Sequence, residues 1–273
     1  MSVKEHYDNV TDVWLYIMGD NLHYGLFKPE NISLKDATIK LIDHLSALSI
    51  IDANSHILDV GCGIGEPAFH LHEKFNCKLT GISISPRGIE IAKERCEKKG
   101  YSQYINFLVA DGTKKNFPDN HFDHVWVMES SHLIKNKKQL FEENYRVLKD
   151  GGSMLLCDLM LMKELTVVDL YKYRKEIEIL ERTFGKAKME PIHFYKEKAI
   201  ESKFSEVEVI NISKETQLTL KKWEENISLN KKDILKFFRT DKVDEFINAC
   251  EITNDFFDKG MFGYGMLKCT KEN

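Results

Sequence analysis

The run Ile57-Leu58-Asp59-Val60-Gly61-Cys62-Gly63-Ile64-Gly65-Glu66-Pro67 restricts the fold more than any other stretch of this chain. It reads as a short buried strand, a turn with glycine at every second position, and a helix that opens on Pro67. Glycine reaches positive φ freely and lets another molecule come close to the backbone. Proline suits the first turn of a helix, where its missing N–H costs nothing. A helix N-terminus aimed at such a turn offers free amides and the positive end of its dipole to an anionic group.

Strand and helix signals keep alternating from there. His56–Val60, Lys78–Ile82, Ile105–Ala110, His124–Met128 and Ser153–Leu159 are apolar runs of strand length. Ala68–Phe75, Arg87–Lys99 and Lys137–Lys149 between them read as helices. The β-α-β-α rhythm predicts a parallel sheet with helices on both faces. Leu34, Ala37, Leu41, Leu45 and Leu48 fall at helical spacing, so a helix ahead of the sheet packs on it. Asp150-Gly151-Gly152 is expected to cap the helix before the fifth strand. Glu206–Ser213 and Met261–Thr270 read as an antiparallel pair at the sheet edge. Two helical inserts remain, Lys163–Phe184 with a stripe of Leu170, Tyr173, Ile177, Leu180 and Phe184, and Lys214–Lys259 with Val243, Phe246, Ile247, Cys250 and Phe257. Core packing is the first reading of both stripes and substrate contact the second.

Ligands of open parallel sheets bind beyond the carboxyl ends of the strands. Asp59, Ser83, Asp111, Glu129 and Asp158 all stand at such ends, which describes one site. A nucleotide-binding G-x-G-x-x-G would need a small residue where Glu66 stands, and Asp59 at the strand tip would repel a pyrophosphate. A glycine turn between two acids suits a ligand with cationic groups, a carboxylate and no phosphate. S-adenosylmethionine is such a ligand.

Composition narrows the partners. The 273 residues are 42% hydrophobic and 30% charged, and the net charge of −4 gives no support to a nucleic-acid partner. The six cysteines lack metal-ligand or disulfide spacing, so no metal is expected. No apolar run has the length of a membrane span and the N-terminus has no leader pattern, so a cytoplasmic location is expected.

The pattern D-V-G-C-G-x-G at Asp59–Gly65 resembles motif I of the class I S-adenosylmethionine-dependent methyltransferases. Phe122–His132 resembles motif IV of the small-molecule members, and Gly81-Ile82-Ser83-Ile84-Ser85 is similar to their second-strand motif. The branch it looks like holds sterol and tocopherol C-methyltransferases, the rebeccamycin-type sugar O-methyltransferase and phosphoethanolamine N-methyltransferases. Tyr7-Asp8 and Gly19–Gly25 look like that branch's N-terminal lid. The resemblance implies a Rossmann-like α/β fold, a seven-stranded and mostly parallel sheet whose last strand is antiparallel, under a helical cap. It also implies one domain over 1–273, with a lid at 1–30, a cofactor-binding core at 31–160, cap inserts at 161–190 and 214–259, and terminal strands at 206–213 and 261–270.

Residue roles follow from the same resemblance. Asp59 and the amides of Gly61, Gly63 and Gly65, with Cys62 between them, are expected to hold the methionine end of the cofactor. Asp111 and Gly112 fall at the adenine position, Ser83 at the ribose, and Met128 and Glu129 near the methyl. His23 and Tyr7 belong to the lid, His23 as a cofactor contact and Tyr7 as a catalytic residue that closes over His132 and Asp158. His132 is the expected base, since imidazole exchanges protons near neutral pH, and Asp158 would fix its tautomer. Ser83 replaces the usual ribose-binding acid and Gly88 a glutamine of the branch, which leaves ribose contacts to Arg87 or the lid. The expected reaction is methyl transfer to a mid-sized, partly apolar small molecule, an oxygen of a natural product first and a carbon or amine second. A nicotinamide-dependent oxidoreductase and a non-catalytic binding module are the rival readings. The chain could be a monomer or a homodimer.

Overall fold

The computed structural model describes Trp14 and residues 17–19, 21–236 and 238–272. Among the described residues seven strands form one sheet, and their lateral order reverses beside the first strand. They are β1 (His56–Val60), β2 (Lys78–Ser83), β3 (Ile105–Val109), β4 (Phe122–Met128), β5 (Leu148–Leu161), β6 (Ser205–Asn211) and β7 (Phe262–Thr270), in the order β3-β2-β1-β4-β5-β7-β6. The strands from β3 to β5 pair in parallel, and β7 runs antiparallel between β5 and β6. The reversal between β2 and β4 opens a crevice at the tip of β1, where ligands of such sheets bind.

Helices α1 (Leu34–Ser46), α2 (Glu66–Phe75), α3 (Pro86–Lys99) and α4 (Lys137–Val147) cover the sheet. Each has a local cause. Ser33 caps α1 by accepting from Asp36 N at 3.1 Å, and Ser85 caps α3 by accepting from Gly88 N at 3.0 Å. Proline opens both α2 and α3. Gly100 closes α3 at φ 75°. On α1, Leu41, Ile42 and Leu45 are fully buried against the sheet, each worth about 1.5–3 kcal/mol. All six cysteines are buried as free thiols.

The expected glycine cap after α4 is not what forms. The helix ends at Val147, and Leu148 already pairs with Phe122 as the first residue of β5. Gly151 and Gly152 lie inside that strand, where the register with β4 shifts. A Cβ on Gly152 would sit 2.8 Å from the carbonyl oxygens of both Asp123 and Lys149. The glycines permit a kinked strand start rather than a helix stop.

Six further helices follow β5: α5 (Val167–Lys172), α6 (Arg174–Phe184), α7 (Ile192–Glu201), α8 (Ser213–Thr216), α9 (Leu218–Ile234) and α10 (Thr240–Asp258). The first insert thus breaks at Tyr173 into two helices. Phe184 meets Phe246 of α10 edge-on at 5.4 Å, and Tyr173 meets Phe256 at 5.2 Å. In the second insert Val243, Phe246, Cys250 and Phe257 are buried, as core packing requires. Helix α7 escaped the sequence reading, although Ile192, Tyr195 and Ala199 share a face. No described helix is long and apolar enough to cross a membrane.

Candidate active site

The glycine turn hangs on β2, and its three glycines answer three different demands. The amides of Gly61 and Cys62 both donate to Ile82 O, at 2.8 and 3.1 Å, and Gly65 N donates to Cys62 O at 2.9 Å. Those amides are spent on the turn itself. Gly61, at φ 85°, has Ser130 so close that a Cβ would lie 2.2 Å from that serine's Cβ. Gly65, at φ 88°, is pressed on by Phe107. Gly63, at φ 51°, faces open space, and among the described residues its N–H meets no acceptor. It is the amide left for a ligand.

Asp59 is buried beside this turn, and its Oδ2 has no hydrogen-bond partner among the described residues. Burial pushes its carboxyl up to about 7, with His23 pulling the other way. His23 Nδ1 is buried without a hydrogen bond too, 3.8 Å from Glu129 Oε2. A buried carboxylate oxygen without a donor is costly, so Asp59 marks a place where a cationic group would be stabilised.

Glu129 follows β4 at φ 48°, a left-handed conformation that costs a non-glycine residue about 1–3 kcal/mol. Several bonds hold it there. Its N donates to Cys157 O at 2.9 Å, and its Oε1 accepts from Tyr24 N at 2.8 Å and Tyr264 Oη at 2.6 Å. The carboxylate thus ties the N-terminal segment and β7 to the tip of β4. Next to it, Ser130 Oγ donates to Val60 O at 2.6 Å and locks the tips of β1 and β4 together.

One turn further, His132 Nδ1 stands 2.6 Å from Asp158 Oδ1. The two residues come from adjacent strands, His132 from a 3₁₀ turn after β4 and Asp158 from within β5, which continues to Leu161 instead of ending at Leu159. Asp158 is fully buried and would be raised by that alone. The nearby His132 charge and hydrogen bonds from His132 and Ser131 outweigh burial and hold it below the usual carboxylate range. The imidazole keeps 13% of its side-chain surface exposed, on a cavity.

That cavity encloses about 1040 Å³. Gly61, Gly63, Ser83, Asp111, Gly112, Glu129, His23 and His132 line it, and so do Trp14, Met18 and Tyr24. Leu159, Leu161, Leu170, Ile177, Leu180 and Phe184 form an apolar wall. The stripe of the first insert therefore packs on α10 through Tyr173 and Phe184 and faces the cavity through Leu170, Ile177, Leu180 and Phe184. Ser83 Oγ accepts from Ser85 N at 3.2 Å. Asp111 Oδ1 accepts from Thr113 N and Oγ1, both at 2.8 Å, and so also shapes its own turn. Gly88 lies on the glycine turn, where a Cβ would come within 3.2 Å of Gly63 O. Cys62, Gly65, Met128 and Asp158 do not line the cavity, being taken up in packing around it, and Asp59 stands outside its lining too but directly precedes Val60 and Gly61, which line it. Tyr7 lies outside the described residues. Ser130, Ser131, Tyr24 and Tyr264 were missed by sequence reasoning, although the two serines directly precede His132.

The fold is that of known methyl-transfer enzymes. A mycolic acid cyclopropane synthase complexed with S-adenosylhomocysteine superposes with a TM-score of 0.89 over 98% of this chain and 97% of that one, at 17% identity. The cyclase SpnF does so at 0.82, over 99% and 96%, at 23% identity. Such likeness shows the fold alone. Sequence goes further: residues 58–156 match the family described as methyltransferase domain, and 27-O-demethylrifamycin SV methyltransferase from Amycolatopsis mediterranei is 35% identical over 160 residues. In sequence and in fold the chain is similar to methyltransferases. The match to the rifamycin enzyme covers 59% of this chain and 59% of its relative, less than two thirds of that enzyme's length. The chain has a place that fits the cofactor: Asp59 Oδ2 and His23 Nδ1 are buried without partners, and the Gly63 N–H beside them meets no acceptor among the described residues.

Proposed function

We propose that this chain transfers the methyl group of S-adenosylmethionine to an oxygen of a mid-sized, partly apolar small molecule of the natural-product kind. One observation carries the reading: the His132–Asp158 pair opens on the same cavity as Gly61 and Gly63. A base is needed where a hydroxyl must lose its proton and is dispensable for most amines. The relative's name, a methyltransferase of 27-O-demethylrifamycin SV, agrees with an oxygen acceptor.

In this reading Asp59, His23 and the Gly63 amide hold the amino-acid end of the cofactor. Ser83 stands toward the ribose, and Asp111 and Gly112 toward the adenine. Bound there, the cofactor supplies an electrophilic methyl on a sulfonium. His132 Nδ1–H donates to Asp158, which leaves Nε2 to take the acceptor's proton, and the Asp158 carboxylate stabilises the imidazolium that forms. The apolar wall binds the body of the acceptor and keeps water away, while the cavity aligns the reactants. General-base assistance of this kind is worth about 10²–10⁴ in rate.

The test incubates the purified chain with S-adenosylmethionine and a panel of hydroxylated polyketides, phenols, sterols and amines. Mass spectrometry then follows S-adenosylhomocysteine and methylated product. An O-methyl product supports the proposal. A carbon- or nitrogen-methylated product from the same panel would replace it with the corresponding acceptor class.

A further inference from the structure

Asp158 is held by four donors on its two oxygens. Oδ1 accepts from His132 Nδ1 at 2.6 Å and Leu159 N at 2.8 Å, and Oδ2 accepts from His132 N at 2.9 Å and Ser131 Oγ at 2.5 Å. Ser131 Oγ also lies 3.3 Å from the hydroxyl of Tyr195. A serine hydroxyl has a single proton, and the short contact commits it to the carboxylate, so the tyrosine is the donor in the second contact. Burial, with the Asp158 charge adding to it, pushes the Tyr195 phenol far above its ordinary range, which keeps that donor protonated. Ser131, Tyr195 and Asp158 are all completely shielded from solvent. Tyr195 comes from α7, and its neighbours Pro191 and Phe194 line the cavity.

We infer that Ser131 and Tyr195 are positioning residues of the base. They form a buried hydroxyl chain that fixes the Asp158 carboxylate against His132 and ties it to the helix facing the acceptor. The inference rests on the reading of His132 as the base. By donating to Oδ2, Ser131 also draws charge away from Asp158 and tempers its pull on the imidazole. Other titratable groups face the pair: Lys137 from α4, Cys157 from β5, Tyr24 from the N-terminal segment, and Glu190 beyond Tyr195. None of them is hydrogen-bonded to Asp158 among the described residues.

The experiment compares pH profiles of kcat/KM for wild type, Ser131→Ala, Ser131→Thr, Tyr195→Phe and His132→Ala, with S-adenosylhomocysteine affinity as the folding control. Loss of the Ser131 donor concentrates charge on Asp158 and favours protonated His132. The acid limb should therefore move up by about half a unit to one unit, with kcat down about tenfold. Tyr195→Phe should move the limb the same way by less, and Ser131→Thr should restore it. Tyr195→Phe removes one hydroxyl and keeps the ring, so it carries the test even if Ser131→Ala does not fold. If His132→Ala collapses turnover while neither hydroxyl variant moves the profile, the chain is packing and the inference is overturned. If His132→Ala itself turns over normally, the reading of the base fails first.

Discussion

Tyr24 N donates to Glu129 Oε1 at 2.8 Å, across 105 residues of sequence. That bond fastens the segment carrying His23 to the tip of β4, and Tyr264 Oη reaches the same oxygen at 2.6 Å. Glu129→Ala should leave both donors buried without an acceptor and lower stability by roughly 2–4 kcal/mol. Glu129→Gln keeps one acceptor oxygen and should lose less. Urea denaturation of both variants measures the difference. Equal stability of Glu129→Ala and wild type would show that the tie is idle.

The glycines of the turn should fail in different ways. Gly61→Ala drives a Cβ into Ser130 and should destabilise the fold by about 1–3 kcal/mol or more, since Ser130 is held in place by its bond to Val60 O. Gly63→Ala meets nothing and costs only its positive φ, about 1–2 kcal/mol. Its methyl, however, would stand in the cavity that Gly63 lines, where the proposed reading puts the cofactor. Thermal melts and calorimetry with S-adenosylhomocysteine should therefore separate the two, with Gly63→Ala folded and weak in binding. Full affinity in Gly63→Ala would move the ligand away from that amide.

Asp59 predicts a linkage to pH. Its carboxyl stands raised from 3.8 to about 7 in the folded protein, so between those values the folded state holds a proton that the unfolded chain has lost. Stability of the ligand-free protein should fall as pH rises through that window. A cationic ligand favours the ionised form, so binding should release a proton near neutral pH and tighten as pH rises. Asp59→Asn should remove both slopes, and Asp59→Ala should weaken binding by roughly 1.5–3 kcal/mol. Calorimetry in buffers of different ionisation enthalpy counts the proton. Identical pH dependence in wild type and Asp59→Asn would refute the linkage.

The strand ends were legible in the sequence because a buried parallel strand is an apolar run that stops where a polar side chain appears. Ser83, Asp111 and Glu129 announce themselves that way, whereas Asp59 is followed by Val60 inside β1 and Asp158 lies within β5, which runs on to Leu161 beside β7. What each side chain does at its strand end was less legible. Glu129 finds its partners 105 and 135 residues away, which no local pattern encodes. The separate reasons for Gly61 and Gly65 depend on Ser130 and Phe107, brought there only by the sheet. Asp150-Gly151-Gly152 carries the composition of a helix stop, yet Leu148 gains more by pairing with Phe122. Helix α7 was missed because few apolar residues mark its buried face, although it delivers Tyr195 to Ser131.

The central claim is that His132, held by Asp158, takes the acceptor's proton during methyl transfer. Turnover of a hydroxyl acceptor, measured as S-adenosylhomocysteine released by wild type, His132→Ala and Asp158→Asn across pH 6 to 9, tests it most directly. His132→Ala should fall by about 10²–10⁴ while S-adenosylhomocysteine affinity stays close to wild type. Asp158→Asn should fall too, because its amide can no longer stabilise the imidazolium. Wild-type turnover in His132→Ala throughout that range would contradict the account and leave alignment in the cavity as the source of the rate.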